Sequence, residues 1–177
     1  DYWCGSNKLQ LQVDFLESHP EYVLAFHDAI IIGPSIDQGS IQIQGFLRRD
    51  ASCSELVQTR PISTLTVCFR NIIKQIPPEL DQAPVLDLCL WSLLGHYGKG
   101  HFMPEIEPAC YRIHGGGVFS TQDEHSRVLM TAQSLLVLSR LYTKNGNSYL
   151  GEILIMKAIC LIIVGRGRKG LASIGGW

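Results

Sequence analysis

The run YVLAFHDAIII, residues 22–32, constrains the fold more than any other stretch of this sequence. It is apolar almost throughout and ends in β-branched residues, which is typical of a strand covered on both faces. A helix pattern precedes it, with a cap at Ser6 or Asn7, a stop at Pro20, and one apolar stripe of Leu9, Val13 and Leu16. A central strand beside an amphipathic helix predicts an α/β fold.

Later segments continue this alternation. Residues 33–40 have the composition of a loop, and residues 41–49 alternate like an exposed strand or hairpin arm. Strand-like runs follow at 62–70, 100–103 and 107–114, and helix starts at Asp87 and at a capping box of Thr121 and Glu124. Together with a last apolar helix, the pattern predicts a mixed sheet flanked by helices and followed by C-terminal helices. No nucleotide-binding glycine fingerprint accompanies it.

Composition excludes some partners. The 177 residues carry a net charge of −1, so no global attraction to nucleic acid is expected, and only the segment GRGRKG at 165–170 is locally basic. The longest apolar run, 153–164, is shorter than the roughly 20 residues of a membrane span and contains Lys157. It predicts a buried helix, with an interfacial helix and peripheral membrane association as the second interpretation.

The six cysteines are scattered, form no CxxC pair, and four of them lie inside apolar runs. This distribution is typical of small buried residues in a reducing compartment, and not of a zinc site or a disulfide framework. We therefore expect a cytoplasmic protein.

The segment YRIHGGGVFS, residues 111–120, is the first candidate site. Its alternation predicts an extended segment that presents Arg112 and His114 on one face. Gly115 and Gly116 then suit either a tight turn or a loop that lets a phosphate or sugar approach the backbone. Two simpler interpretations stay open: His114 as a hydrogen-bonded structural residue, and Arg112 as the partner of a nearby glutamate.

Two aspartates are further candidates. Asp87 stands where it can cap a helix, and a carboxylate there can also act as a general base if it faces a cleft. Asp1 precedes an aromatic pair, a loop and a helix, so it can end a strand that carries a site for Mg²⁺ or Mn²⁺.

Four separated blocks give these residues a specific resemblance. DYWCGSNKLQLQVDFLESHPEY, STLTVCFRNIIKQIP, DLCLW with GHYGKG, and YRIHGGGVFS occur in this order and at similar spacing in bacterial family-two glycosyltransferases of the GT-A fold. The resemblance covers residues 1 to about 120. It implies a partial GT-A, Rossmann-like sheet in 1–120, the acceptor-side half of the domain, and a helical extension in 121–177.

The resemblance also implies roles for single residues. Asp1 resembles the last carboxylate of the acidic motif that holds a divalent cation, Mn²⁺ or Mg²⁺, against the donor diphosphate, and His114 resembles the histidine that completes that site. Asp87 resembles the base that activates the acceptor hydroxyl for inversion. The remaining donor-binding residues would be Trp3, Arg112, Gly115 and Gly116.

The implied function is an inverting glycosyltransferase of bacterial cell-surface polysaccharide or glycan synthesis. Its donor would be a nucleotide sugar, with UDP as the expected nucleotide, and its acceptor a saccharide or lipid-linked glycan at the inner face of the membrane. The half of the domain that holds the nucleotide would precede Asp1, so the resemblance implies an incomplete fragment.

Two alternatives remain. One is a non-catalytic binding or assembly module whose last helix docks on a membrane or a partner. The other is a metal-dependent hydrolase that uses Asp1, His27, Asp28 and His114. A histidine on a buried strand is more often a hydrogen-bonded core residue, which argues against this alternative.

Overall fold

The computed structural model describes residues 1–33, 36–41, 45–119 and 121–174, except for the side chains of 36–41 and 166–174. The chain divides into two compact units, Asp1–Lys74 with Leu90–Gly117, and Gln75–Cys89 with Val118–Trp177. The expected α/β class is confirmed: small mixed sheets, flanking helices and C-terminal helices make up the described chain.

The described part of the first unit contains six short strands in two mixed sheets. They are β1 (Tyr22–Phe26), β2 (Ala29–Gly33), β3 (Ile36–Ile41), β4 (Cys68–Phe69), β5 (Lys99–Phe102) and β6 (Ala109–Arg112). In one sheet β1 lies between antiparallel β4 and parallel β5, and in the other β2 lies between antiparallel β3 and parallel β6. Because β5 runs parallel to β1 and β6 runs parallel to β2, the two strands of each pair end at the same edge of their sheet.

The prediction of one central strand at 22–32 is wrong, because the chain leaves the first sheet after Phe26 and enters the second at Ala29. Backbone hydrogen bonds hold the crossing, with Met103 N–H donating to Phe26 O and Ala109 N–H donating to Asp28 O. His27 and Asp28 therefore occupy the step between the sheets and not the middle of a strand. Two polar residues inside an apolar run were the local sign of this break.

Other boundaries also differ from the sequence expectation. The stretch predicted as a loop contains β3, while positions 34 and 35 lie outside the described residues. Of the strand expected at 41–49, Ile41 ends β3, Gly45–Leu47 form a 3₁₀ turn, and 42–44 lie outside the described residues. The strand expected at 62–70 is reduced to the 3₁₀ turn Thr64–Thr66 and the two-residue β4, and the prolines that follow open another 3₁₀ turn, Pro78–Gln82.

Helix α1 (Lys8–Ser18) has the predicted extent but turns a different face inward. Leu9 and Val13 are 47% and 39% exposed, whereas Lys8, Gln12 and Leu16, spaced four apart, are buried. Only Leu16 belongs to both the predicted and the observed inner face. The inner face of α1 is therefore partly polar, and the buried Lys8 ammonium needs hydrogen-bond partners inside the unit.

The core of the first unit lies against β1 and β5. Its largest buried members are Val23, Leu24, Phe26, Leu56, Trp91, Leu94 and Phe102. Gly98 allows the close approach at the start of β5, because a Cβ there would lie 2.6 Å from Glu21 O. Helix α2 (Cys53–Val57) begins with a full capping box of Ser52 and Glu55, a signal that was present in the sequence.

The second unit consists mainly of two long helices, α4 (Glu124–Lys144) and α5 (Ser148–Ile174). The N-cap of α4 is Asp123, whose carboxylate accepts the Ser126 N–H at 2.8 Å, so the predicted cap at Thr121 is wrong by two positions. Gly146, with φ of 84°, makes the turn between the helices. Gly151 brings them into close contact, since a Cβ there would lie 2.3 Å from Thr143 Oγ1.

Candidate functional site

The first residues of the chain pair with β6. Tyr2 and Cys110 exchange two backbone hydrogen bonds of 3.1 and 2.8 Å as an antiparallel bridge. This pairing brings Asp1 close to Arg112, whose backbone N–H donates to Asp1 Oδ1 at 2.7 Å. Residues 111 positions apart in sequence thus form one end of the sheet.

Trp3 is anchored beside this pairing. Its indole Nε1–H donates to Leu65 O at 2.8 Å, and the Lys8 ammonium lies 4.4 Å from the centre of its ring. The ring is nevertheless 48% exposed. Trp3 therefore has a fixed aromatic side chain, partly exposed, close to Asp1 in the sequence.

Arg112 and His114 have the arrangement expected from the alternation. Both are exposed, Tyr111 and Ile113 are half-buried, and Ile113 N–H continues the pairing with Ile32 O beyond the end of β6. His114 Nδ1 accepts the Gly116 N–H at 3.2 Å. In the neutral tautomer that accepts this bond the proton sits on Nε2, so that nitrogen can donate to a phosphate. Metal binding through Nε2 would require the other tautomer and the loss of the bond from Gly116.

Gly115 and Gly116 form a tight turn, one of the two alternatives expected from the sequence, which is closed by the Gly117 N–H donating to His114 O at 3.2 Å. Neither glycine adopts a positive φ, so the backbone conformation of this turn does not require glycine. A Cβ at Gly115 would meet no atom within 4 Å, and one at Gly116 would meet only the His114 ring at 3.4 Å. The open backbone at these positions suits close approach by a group from outside the chain.

The expected metal ligands are few. Across 1–33, 45–119 and 121–165, where side chains are described, no cluster of three or more histidine, cysteine or acidic side chains has the geometry to hold a metal ion. Asp1 and His114 alone would supply two ligands. Mg²⁺ is commonly bound through one or two carboxylates, with the remaining positions taken by water and substrate phosphates.

Asp87 belongs to the second unit, whereas Asp1, Arg112 and His114 belong to the first. It is the second residue of α3 (Leu86–Leu94) and not the residue before the helix. Its Oδ1 accepts the Leu88 N–H at 2.7 Å, so the carboxylate still satisfies a free donor of the first turn. It is half-buried.

A buried polar cluster under α1 was missed by the sequence analysis. Lys8 Nζ donates to Gln12 Oε1 at 2.6 Å, and Gln12 Nε2 donates to Ala25 O and Thr66 O, each at 2.9 Å. Gln12 thus ties the helix to β1 and to the residues before β4. The only sequence signal was a lysine and a glutamine four apart, which share one helix face.

His27 lies in the same region and is fully buried. Neither ring nitrogen makes a hydrogen bond of normal geometry within the described residues. Burial, the largest cause, and the nearby Lys8 charge together lower the pKa of His27 to about 4, against a smaller opposing effect of the Asp28 backbone. His27 is therefore neutral near pH 7.

Asp28 follows directly and pairs through Oδ2 with Arg48 Nη2 at 2.5 Å. Asp28 is buried, whereas the Arg48 side chain is 40% exposed. A neutral buried imidazole beside an arginine-paired carboxylate has the features of structural packing, which disfavours the hydrolase alternative.

A second polar cluster surrounds Asp50. Its two carboxylate oxygens lie 2.8 Å from His101 Nδ1 and from the Tyr22 hydroxyl, which donates to Oδ2 and whose pKa is raised by this bond. Phe15 stacks between His101 and His19, with ring centres 3.8 and 4.2 Å away. These contacts hold α1 against β1 and β5, and no periodicity in the sequence indicated them.

Comparisons with known proteins do not indicate an activity for this chain. The chain is similar to uncharacterized proteins of Mycobacterium tuberculosis and Mycobacterium bovis, each 30% identical over 123 residues, or 67% of this chain. The match covers 34% of each relative, so the chain spans about a third of the length of the curated relatives it matches. No family model matches the sequence. No solved structure matches it either.

Proposed function

We propose that this chain is the acceptor-side portion of a metal-assisted, inverting glycosyltransferase that uses a nucleotide-sugar donor. The observation that carries the proposal is the hydrogen bond from Arg112 N–H to Asp1 Oδ1, which sets the Asp1 carboxylate at the end of β6 that leads into His114. A carboxylate, an imidazole, an exposed arginine and an open glycine backbone at one sheet end match the needs of a diphosphate.

Each residue has a role in this proposal. Asp1 and His114 would hold Mn²⁺ or Mg²⁺, which when bound neutralises the charge of the leaving diphosphate. Arg112 adds a cation beside it, and Trp3 packs against the donor. For Asp87, which belongs to the other unit, the role of the base that takes the proton of the acceptor hydroxyl, giving inversion without a covalent intermediate, rests on the resemblance alone.

The test is a calorimetric titration of UDP with Mn²⁺ into this chain and into a version extended upstream with its natural sequence. We expect the extended protein to bind. In that protein, Asp87→Asn should retain binding and lose sugar transfer to the acceptor, while the exposed Asp81→Asn serves as the matched control and keeps both. The absence of binding by two folded proteins would refute the assignment of this site.

A second candidate is favoured by one observation on α5. Tyr149, Met156, Ile159 and Ile163 are 76%, 58%, 43% and 64% exposed, and their spacing of seven, three and four places them on one side of the helix. The opposite side, with Leu150, Leu154 and Ala158, is buried. The basic residues Arg166, Arg168 and Lys169 follow directly in the sequence.

The length of this helix revises one expectation. The apolar run 153–164 is short, but Ser148–Gly165 is an 18-residue helical segment of mean hydropathy 1.9, which by length and composition is enough to cross a membrane. An apolar stripe next to a cluster of cations suits an anionic lipid surface. We therefore propose peripheral attachment of α5 to such a surface on the cytoplasmic side.

Flotation with vesicles containing phosphatidylserine tests this attachment. Wild-type protein should float with anionic vesicles, and Met156→Glu with Ile163→Glu should remain in the soluble fraction. The exposed Gln133→Glu on α4 adds a charge away from the stripe and should float like wild type. Equal flotation of all three proteins would show that the stripe is not the lipid contact.

A further inference from the structure

Two cysteines that are 106 positions apart face each other at the paired ends of the first unit. The sulfur atoms of Cys4 and Cys110 are 3.5 Å apart and share a hydrogen bond. Cys4 is exposed, whereas Cys110 lies on β6 and is 4% exposed. One thiol of the pair can therefore be reached from solvent, and the other is held directly behind it.

The backbone fixes this juxtaposition. Cys110 is the residue that exchanges both backbone hydrogen bonds with Tyr2, and Cys4 stands two residues beyond Tyr2. The separation of the sulfurs exceeds a disulfide bond length by about 1.5 Å. Since Cys4 is exposed, rotation of its side chain meets less steric resistance than movement of a core residue would.

We propose that Cys4 and Cys110 form a reversible disulfide by exchange with a small-molecule disulfide such as oxidised glutathione. The Cys4 thiolate attacks one sulfur of the small disulfide, forms a mixed disulfide and releases one small thiol. Cys110 then attacks Cys4 Sγ, forms the internal disulfide and releases the second small thiol. The protein loses two electrons and two protons, and the small disulfide gains both.

The surroundings of Cys4 set the rate of the first step. The hydrogen bond with Cys110, partial burial and the charges of Cys110 and Glu107 raise the pKa of Cys4. Contact with Cys110 also raises the pKa of the Tyr2 hydroxyl. Exchange is therefore slow near neutral pH, so formation of the internal disulfide requires sustained oxidation.

The disulfide would change the first unit mechanically. It would close a loop between the first residues and β6, which at present are held by the Tyr2 bridge and the bond from Arg112 to Asp1. A cross-link over so long a loop restricts the unfolded chain strongly and should raise the midpoint of thermal unfolding by about 5–10 °C. This inference does not depend on the proposed glycosyltransferase activity.

The experiment uses the chain with Cys53→Ser and Cys160→Ser, which removes the other exposed thiols. After oxidised glutathione, we expect a mass loss of about 2 Da, a peptide linking Cys4 to Cys110, the thermal shift given above, and full reversal by dithiothreitol. Adding Cys110→Ala should convert this product into a stable glutathione adduct on Cys4.

Two results would overturn the proposal. One is a glutathione adduct on Cys4 that persists while Cys110 is present, since the second exchange step would then not occur. The other is no reaction at either cysteine under conditions that fully modify Cys4 in the unfolded chain. Far-ultraviolet circular dichroism of each variant checks that it is folded, and Cys4→Ser, which changes an exposed position, tests the pair if Cys110→Ala does not fold.

Discussion

Asp1 and Arg112 are joined by a 2.7 Å hydrogen bond from the Arg112 backbone N–H to the Asp1 carboxylate, 111 positions away. The bond uses the main chain of Arg112, so its guanidinium remains available for another partner. Only Oδ1 of Asp1 takes part in this bond. The contact therefore positions a carboxylate at the end of β6.

This relationship predicts the effect of Asp1→Asn. Asparagine keeps an oxygen that can accept the Arg112 N–H but carries no charge, so the fold should be preserved while affinity for a divalent cation falls. We expect Mn²⁺-dependent UDP binding by the upstream-extended protein to weaken about tenfold or more. Calorimetric titration measures this, with Asp14→Asn on the exposed side of α1 as the control. Unchanged affinity would remove Asp1 from the metal site.

His27 predicts a loss of stability in acid. Its folded pKa, about 4, lies below the ordinary value of 6.5, so the unfolded chain binds the proton more readily. The contribution to stability is complete above pH 6.5 and is lost as the pH falls toward 4. Over that range His27 should lower the free energy of unfolding by about 3 kcal/mol. The experiment is urea unfolding at pH 7 and pH 4.5.

His27→Phe isolates the contribution of this one histidine. Phenylalanine has a similar ring and no titrating group, and neither imidazole nitrogen makes a hydrogen bond of normal geometry within the described residues. The variant should therefore lose less stability between the two pH values than wild type. An identical pH dependence of both proteins would place the acid sensitivity elsewhere.

Gln12 should be the most sensitive polar position of α1. Gln12→Leu removes the acceptor of the buried Lys8 ammonium and the donor to Ala25 O and Thr66 O. An uncompensated buried charge makes this substitution cost about 3–5 kcal/mol of unfolding free energy. Gln10→Leu changes the same residue type on the exposed face and should cost less than about 0.5 kcal/mol. Similar costs for both would contradict the role of the cluster.

The double substitution Lys8→Met with Gln12→Leu separates charge burial from packing. Because both polar groups are then replaced, the variant should be more stable than Gln12→Leu alone. Denaturant unfolding of the single and double variants gives the coupling between the two residues.

Gly151 predicts a steric effect in the second unit. Gly151→Ala places a Cβ 2.3 Å from Thr143 Oγ1 and 3.2 Å from Ser139 O, so the Thr143 side chain must turn away or α4 and α5 must separate locally. We expect a loss of about 1–3 kcal/mol despite the higher helix propensity of alanine. Thr143→Ala should restore part of this loss. Gly165→Ala, which meets Val128 side-chain atoms at 3.2 Å, should cost less.

Sequence periodicity predicted the elements that local spacing defines. The extent of α1, a long helix after residue 121, the locations of β5 and β6, and the alternation of Arg112 and His114 were all expected from the sequence. The repeat of a helix or a strand can be read along a few positions of the chain, whereas the strands that β5 and β6 pair with cannot.

The failures of the sequence analysis share a cause. The run 22–32 was expected to be one strand, but pairing of β1 with β5 and of β2 with β6 divides it between two sheets. The inner face of α1 was expected to be apolar, but Gln12 is buried because Ala25 O and Thr66 O accept its hydrogen bonds. Partners 13 and 54 positions away carry no local signal.

The sequence by itself determined the α/β class, the order of the helices and most strands, and the residue types available for a donor site. Only the tertiary structure decided which of those residues meet: it brings Asp1 and Cys4 to β6, buries His27 at a step between sheets, and leaves one stripe of α5 exposed. The physical reason is that side-chain spacing along the chain fixes which face a residue occupies, whereas long-range strand pairing and packing fix what that face contacts.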